Sequence, residues 1–163
     1  MNLVCKTFAT PLGEMLAAAD DTGLAGLWFT GQQHAPNAST WQVVRNQPWL
    51  DQTEEEVLAY FSGRRRVFET PRCAIWGTPF QRSVWAALLD IPWGATISYG
   101  QLALQLNKPQ AVRAVGAAVG RNPLSIVVPC HRVLGANGNL TGYAGGLDRK
   151  KALLQLEGIL LPH

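Results

Sequence analysis

Cysteine is scarce in this chain of 163 residues, with only Cys5, Cys73 and Cys130, far apart and odd in number. Such a set does not form a disulfide framework, so we expect a reducing compartment, the cytoplasm. The sequence also lacks Cys-x-x-Cys and His-x-x-x-His spacings, and we therefore predict no metal. It has neither an apolar run of bilayer length nor the basic and then apolar start of a signal peptide, which argues against a membrane protein.

Charged residues are few, at 15% of the chain, and they are unevenly distributed. Residues 77–163 hold eight basic and three acidic residues, whereas residues 1–76 are net negative. A basic half favours a polyanionic partner such as nucleic acid, although a simple solubility bias would look the same. Hydrophobic residues make up 47% of the chain, enough to bury the core of one domain or of two small lobes.

The first 76 residues have an α/β pattern. β-prone runs predict strands over 4–9, 15–19 and 24–29, and the turn-forming cluster at 20–23 predicts a hairpin between the last two. Residues 51–61 predict a helix, because their apolar residues share one face and acidic residues occupy the first turn.

The second half is predicted to be mainly helical. Thr78 and Gln81 have the spacing of a capping box around Pro79, and Ser98 and Gln101 repeat that spacing. These signals predict helices from about residue 79 and over 99–106. A last helix is predicted over 148–156, ended by Gly158.

Two short helices in this half are joined by a tight connection. We predict the first to end at Leu106 and the second to run from Pro109 to about Val119. This spacing is that of a helix-turn-helix, and an ordinary helical hairpin is the alternative. The Asn137-Gly138 step predicts a β-hairpin, which after a helix-turn-helix would be the wing of a winged helix.

Cys130 and His131 are the strongest candidates for chemistry. The β-branched run Ile126–Val128 predicts a strand that ends at Pro129 and presents the pair. Cysteine reacts as the thiolate, and a neighbouring base promotes its formation. Neighbours in an extended segment point to opposite faces, so we expect a bridging water rather than direct contact. The alternative is a buried cysteine that acts only as a small hydrophobic residue.

Three further residues are candidates by position. Glu157 lies at the C-terminal end of a predicted helix, where the helix dipole disfavours an anion. Pairing with His131 would explain its position. The alternative is a solvated helix end, which tolerates the charge. Asn122 precedes the apolar run and could tie turns together through its amide. Arg113 lies in a helix of small residues that could approach another backbone closely, although ordinary alanine-rich packing would give the same pattern.

Residues 77–163 resemble a known family throughout their length. The matching segments occur in order at 78–81, 97–103, 114–116, 121–123, 129–133 (Pro-Cys-His-Arg-Val), 142–146 (Gly-Tyr-Ala-Gly-Gly), 153–154 and 157–158. Together they are similar to the O6-alkylguanine-DNA alkyltransferases, also called methylated-DNA–protein-cysteine methyltransferases. Residues 1–76 match only in outline.

The resemblance implies a fold and an activity. It implies an α/β ribonuclease-H-like domain at 1–76 and a mainly α winged-helix domain at 77–163 that binds DNA and carries the active site. The activity is irreversible, single-turnover transfer of an alkyl group from O6-alkylguanine, and from O4-alkylthymine, in double-stranded DNA to Cys130. No cofactor is implied. The protein would act as a monomer in the minor groove, and cooperative binding along DNA stays open.

The resemblance also implies roles for individual residues. His131 resembles the water-mediated base and Glu157 its partner, while Asn122 resembles a hinge and Tyr99 the tyrosine that rotates the nucleotide and protonates guanine. Arg113 resembles the finger that replaces an extruded base. The remaining implied sites are the DNA-facing positions Ala111, Ala114 and Gly116 and the alkyl-pocket positions Pro129, Tyr143 and Ala144. Ala144 departs from the serine of some members, so only its backbone N–H is available.

Three other functions stay open on the residues alone. A non-catalytic lesion binder of the same fold carries tryptophan at the cysteine position, where this chain has Cys130. A cysteine hydrolase with a Cys-His-Glu triad would turn over repeatedly. A winged-helix regulator would need sequence-specific contacts and usually dimerisation.

Overall fold

The computed structural model describes residues 2–161, which form two compact units. The first holds the residues up to Trp76 together with Pro123–Val127, and the second holds Gly77–Asn122 and the residues from Val128 onward. The first unit is a mixed sheet with one helix, and the second is mainly helical, as predicted. No helix within residues 2–161 is both long and apolar enough to cross a membrane.

The sheet of the first unit has the strand order β3-β2-β1-β4. Its elements are β1 (Val4–Thr10), β2 (Gly13–Ala19), β3 (Leu24–Phe29), β4 (Gln42–Val43) and α1 (Pro48–Phe61). The first three strands pair antiparallel, and β4 runs parallel to β1. The helix begins three residues before the predicted start, because the Gln47 side chain accepts the N–H groups of Trp49 and Leu50 and Pro48 suits the first turn.

The two faces of this sheet are covered differently. On one face α1 packs against the strands, and Lys6 lies 3.0 Å from Asp51 and 2.7 Å from Glu54. On the other face Cys5 and Trp28 form a core with neighbouring apolar side chains, Ala18, Leu16, Trp41 and Trp76. Cys5 is therefore a core residue of the sheet.

The second unit begins with two capped helices. Its elements are α2 (Pro79–Leu88), β5 (Ile97–Ser98), α3 (Tyr99–Gln105), α4 (Val112–Gly120), β6 (Val133–Leu134) and α5 (Leu147–Leu156). Both predicted capping boxes are confirmed, at Thr78 with Gln81 and at Ser98 with Gln101. The helix predicted to open at Pro109 instead starts at Val112, because Pro109 lies in a turn that the Ala111 N–H closes onto the Lys108 carbonyl.

The segment that leads to Cys130 is not the predicted strand. Ile126 has a positive φ of 72°, and the Val127 N–H donates to the Ser125 carbonyl at 2.8 Å, which makes a γ-turn. Pro129, with φ −82° and ψ 63°, is the centre of a second tight turn that the Cys130 N–H closes onto Val128. A β-branched residue with positive φ is strained, and only the surrounding structure holds it there.

The Asn137-Gly138 step forms a turn but not the predicted hairpin. Both residues have positive φ, 61° and 76°, and the Gly135 N–H donates to the Asn139 carbonyl. Among the described residues no strand follows this turn, so β6 has no antiparallel partner there and pairs only with β5, in parallel.

Candidate active site

Cys130 opens a single turn of 3-10 helix, Cys130–Arg132, and is buried. The expected extended geometry, with Cys130 and His131 on opposite faces, is therefore wrong, since the tight turn at Pro129 starts a helical turn. Asn122 supports this turn from the end of α4. Its side-chain amide donates to the Val128 carbonyl at 2.8 Å and also hydrogen-bonds Cys130.

The Cys130 thiol retains its proton in this environment. Burial raises its pKa above the ordinary value, because the thiolate loses hydration. The hydrogen bond from Asn122, the positive charge of Lys150 and nearby backbone N–H groups oppose the rise only in part. The site therefore needs a group that removes the proton before the sulfur can react.

His131 and Glu157 form a buried pair within hydrogen-bond distance. Nε2 of His131 lies 2.8 Å from Oε2 of Glu157, and both side chains are fully buried. An ionised carboxylate only accepts hydrogen bonds, so Nε2 carries the proton and Nδ1 bears a lone pair. Nδ1 makes no hydrogen bond to any of the residues from 2 to 161.

Arg132 is a site residue that the sequence reasoning missed. Its Nε lies 2.7 Å from Oε1 of Glu157, its second terminal nitrogen 3.0 Å from Oε2, and its first donates to the Ile91 carbonyl at 2.6 Å. This guanidinium satisfies a carboxylate at the C-terminal end of α5, where the helix dipole disfavours it. The sequence signal for Arg132 was Glu157, because a carboxylate at the C-terminal end of a helix needs a nearby cation.

The electrostatics keep His131 neutral at physiological pH. Burial lowers its pKa most, Glu157 acts in the opposite direction, and the charges of Arg132 and Lys150 lower it further. A neutral imidazole with a free lone pair is the form that accepts a proton.

Lys150 is the second residue that the sequence reasoning missed. It is fully buried in the first turns of α5, where Leu153 and Leu154 lie three and four residues further along the same buried face. The spacing of residues 150, 153 and 154 on one helix face was the sequence signal that Lys150 is buried. Its ammonium lies 5.8 Å from the ring centroid of Tyr99.

Tyr99 is half-buried at the first position of α3. Burial raises the pKa of its hydroxyl, a thiolate at Cys130 would raise it further, and a hydrogen bond with the Thr141 side chain lowers it. The phenol is therefore protonated. It lies close enough to Cys130 to interact with a thiolate there, and it contacts Thr141 in the loop that leads to Tyr143.

Helix α4 presents a smooth outer face with one long cation. Arg113 and Ala114 are exposed, and Ala111 and Gly116 are half-exposed, whereas Val115, Ala118 and Val119 on the opposite face are buried. A Cβ added to Gly116 would lie 3.7 Å from the Tyr99 ring, so this part of the face adjoins Tyr99.

The predicted alkyl-pocket residues are divided between two segments. Pro129 is buried beside Cys130, and Tyr143 and Ala144 are half-buried in the loop before α5. A cavity of about 430 Å³ in this unit lies elsewhere, beside β5 and β6, and none of these three residues lines it.

Two family models match nearly the whole chain. Residues 79–159 match the DNA binding domain of 6-O-methylguanine DNA methyltransferase, and residues 3–72 match its ribonuclease-like domain. The chain belongs to this methyltransferase family. Its two matched segments correspond to the helical part with Cys130 and to the sheet part.

Individual relatives agree with the family. The chain is 46% identical over 152 residues to the methylated-DNA–protein-cysteine methyltransferase of Methanosarcina acetivorans, covering 93% of this chain and 96% of that protein. It is similar in structure to the Mycobacterium tuberculosis O6-methylguanine methyltransferase, with TM-score 0.86, 42% identity and coverage of 95% and 92%. A structure of M. tuberculosis OGT in complex with DNA matches with TM-score 0.87, 42% identity and coverage of 94% and 92%.

Proposed function

We propose that this methyltransferase-family chain repairs DNA by direct reversal, moving the alkyl group of O6-alkylguanine onto Sγ of Cys130. Family membership supports the reaction class. The observation that carries the assignment of residues is the buried arrangement of Cys130, its neighbour His131, and the His131–Glu157 pair at 2.8 Å.

The first step is the loss of the thiol proton. Nδ1 of His131 accepts it through a bridging water, and Glu157 stabilises the imidazolium that forms. Arg132 holds the carboxylate in place through two hydrogen bonds. A neutral histidine beside a protonated thiol suits this exchange, because each group begins in the form that the step requires.

The second step is displacement at the alkyl carbon. The thiolate forms the S–C bond while the C–O6 bond breaks, and the electron pair stays on guanine, which takes a proton from the Tyr99 hydroxyl. The proton held by His131 returns to the Tyr99 phenolate through solvent, so the products are unmodified guanine and S-alkylcysteine. A thioether has no good leaving group, so the protein reacts once and needs no cofactor.

We propose that residues 77–163 form a second domain with a winged-helix fold. This domain recognises DNA. We propose that helices α3 and α4 are its helix-turn-helix and that the turn at 135–139, which follows them in the chain, takes the part of the wing. The protein binds as a monomer, and the outer face of α4, with Ala111, Ala114 and Gly116, enters the minor groove. A thiol cannot reach O6 inside stacked DNA, so the nucleotide is flipped out and Arg113 fills its place.

The remaining proposals concern substrate range and the first domain. Pro129, Tyr143 and Ala144 surround the alkyl group, and O4-alkylthymine is a second substrate. Residues 1–76 form a ribonuclease-H-like domain.

Asn122 acts as the hinge between α4 and the turn of Cys130, since its side-chain amide hydrogen-bonds both Val128 and Cys130.

Mass spectrometry after mixing with a duplex that contains O6-methylguanine tests this function. We expect one methyl group per protein, on the peptide that contains Cys130, and an equal amount of repaired guanine. Product in excess of protein would indicate a turning-over hydrolase instead. Tight binding of the modified duplex without any methylated peptide would indicate a lesion binder.

A further inference from the structure

The ammonium of Lys150 is fully buried and is saturated with backbone acceptors. It donates to the carbonyls of Val133 at 2.6 Å, Thr141 at 2.7 Å and Gly142 at 3.1 Å. An ammonium has three N–H donors, so each donor has a partner. Lysine is seldom buried without such pairing, because desolvation of the charge is costly.

The three acceptors belong to two segments of the candidate site. Val133 is the residue directly after the turn Cys130–Arg132, and Thr141 and Gly142 directly precede Tyr143. One side chain therefore joins the segment that carries the nucleophile to the loop that leads into Tyr143. The same ammonium lies 5.8 Å from the ring centroid of Tyr99, a favourable position for a cation.

The charge of Lys150 acts on the neighbouring titratable groups. Burial lowers its pKa, a thiolate at Cys130 acts in the opposite direction, and the resulting pKa is about 8. In return Lys150 lowers the pKa of Cys130 and, together with Arg132, that of His131, which Glu157 raises. Tyr99 also faces this cation. The ammonium form thus predominates at pH 7 and is lost as the pH rises through about 8.

We propose that Lys150 is a positioning residue for the reaction of Cys130: its ammonium holds the loop before Tyr143 against β6 and stabilises the thiolate. This proposal rests on the proposed function for its biological meaning. A neutral amine has only two N–H donors, so deprotonation releases one of the three carbonyls and removes the stabilising charge together.

Alkylation of Cys130 by iodoacetamide between pH 6 and 10 tests the electrostatic part without DNA. The rate at the Cys130 peptide, measured by mass spectrometry, reports the thiolate fraction at each pH. Lys150→Met should lower this rate about tenfold at pH 7, where Lys150 is charged, and much less at pH 10, where it is neutral. Lys151→Met is the matched control, because Lys151 is the exposed neighbour with the same charge, and it should leave the rate at pH 7 unchanged.

A folded Lys150→Met protein that reacts at the wild-type rate at pH 7 would overturn the proposal. A purely structural lysine would lower the melting temperature and leave the reactivity of Cys130 unchanged. Lys150→Arg keeps the cation and should react at pH 7 at a rate closer to wild type than Lys150→Met does.

A second measurement tests whether Lys150 holds the loop. Amide hydrogen exchange at residues 141–144 should be faster in Lys150→Met than in Lys151→Met, because the carbonyls of Thr141 and Gly142 lose their donor. Equal exchange in the two variants would refute the positioning role. Since neither measurement uses DNA, a protein that passes both and transfers no methyl group would contradict the proposed function alone.

Discussion

Arg132 holds both oxygens of the Glu157 carboxylate, with its Nε 2.7 Å from Oε1 and a terminal nitrogen 3.0 Å from Oε2. The carboxylate is buried, so this fork of hydrogen bonds sets its orientation. Oε2 is also the atom that lies 2.8 Å from Nε2 of His131. The guanidinium therefore orients the imidazole indirectly, through the shared carboxylate.

Replacing the nucleophile should separate binding from chemistry. Cys130→Ser should abolish methyl transfer and leave the affinity for alkylated duplex DNA within about twofold, because the serine hydroxyl fits the same space. Single-turnover transfer and a binding titration give the two quantities. Cys73→Ser is the control, since Cys73 is a second free cysteine, and it should react at the wild-type rate. Residual transfer by Cys130→Ser would contradict the assignment.

Neutralising Glu157 should change the pH dependence of the reaction. Glu157 raises the pKa of His131, so Glu157→Gln should lower that pKa, weaken the base, slow the reaction and move the acidic limb of the pH–rate profile to lower pH. Stopped-flow rates between pH 5 and 9 measure this.

Glu56→Gln is the matched control for this change. Glu56 is a buried carboxylate of the first unit that accepts hydrogen bonds from Glu69 and Thr70. Each substitution should cost about 1–3 kcal/mol of unfolding free energy. Only Glu157→Gln should alter the profile, and a wild-type profile in folded Glu157→Gln would remove Glu157 from the activation of Cys130.

Removing Arg113 should matter most when base extrusion is costly. Unstacking and unpairing take a few kcal/mol, and free O6-methylguanine avoids that cost. Arg113→Ala should therefore slow repair of duplex DNA much more than dealkylation of the free base. Arg121→Ala is the control, because Arg121 is the exposed cap of the same helix; its loss should weaken DNA binding and reduce the salt dependence only. Equal losses on both substrates would eliminate the finger role of Arg113.

Acid should destabilise the first unit through Glu56. Burial acts to raise the pKa of Glu56, but hydrogen bonds from Thr70, Gln52 and Glu69 outweigh it, and the net pKa lies below the ordinary 4.5. A lowered folded pKa gives stability that is present above pH 4.5 and lost as the pH falls through the folded pKa. Urea unfolding at pH 7 and at pH 3 should therefore show a larger loss for wild type than for Glu56→Gln. Parallel losses would mean that other carboxylates account for the acid sensitivity.

Local signals in the sequence predicted most of the regular structure. The helix starts at Thr78 and Ser98 were predictable because a capping box lies within four adjacent residues. The start of α1 was missed because Gln47 is an uncommon cap, and the start of α4 was misplaced because Pro109 suits a turn as well as a first helical position.

The sequence by itself determined strands β1 to β3, the two capped helices, the Cys130-His131 pair and the family, because each of these depends on residues close along the chain. Only the tertiary structure decided the tight turns at Ile126 and Pro129, the carboxylate shared by His131 and Arg132, and the burial of Lys150. The shared carboxylate and the buried ammonium depend on contacts between residues far apart in sequence, such as Arg132 with Glu157, and the positive φ of Ile126 is held by the structure around it. Desolvation and charge pairing at such contacts set the protonation states, and no local pattern records them.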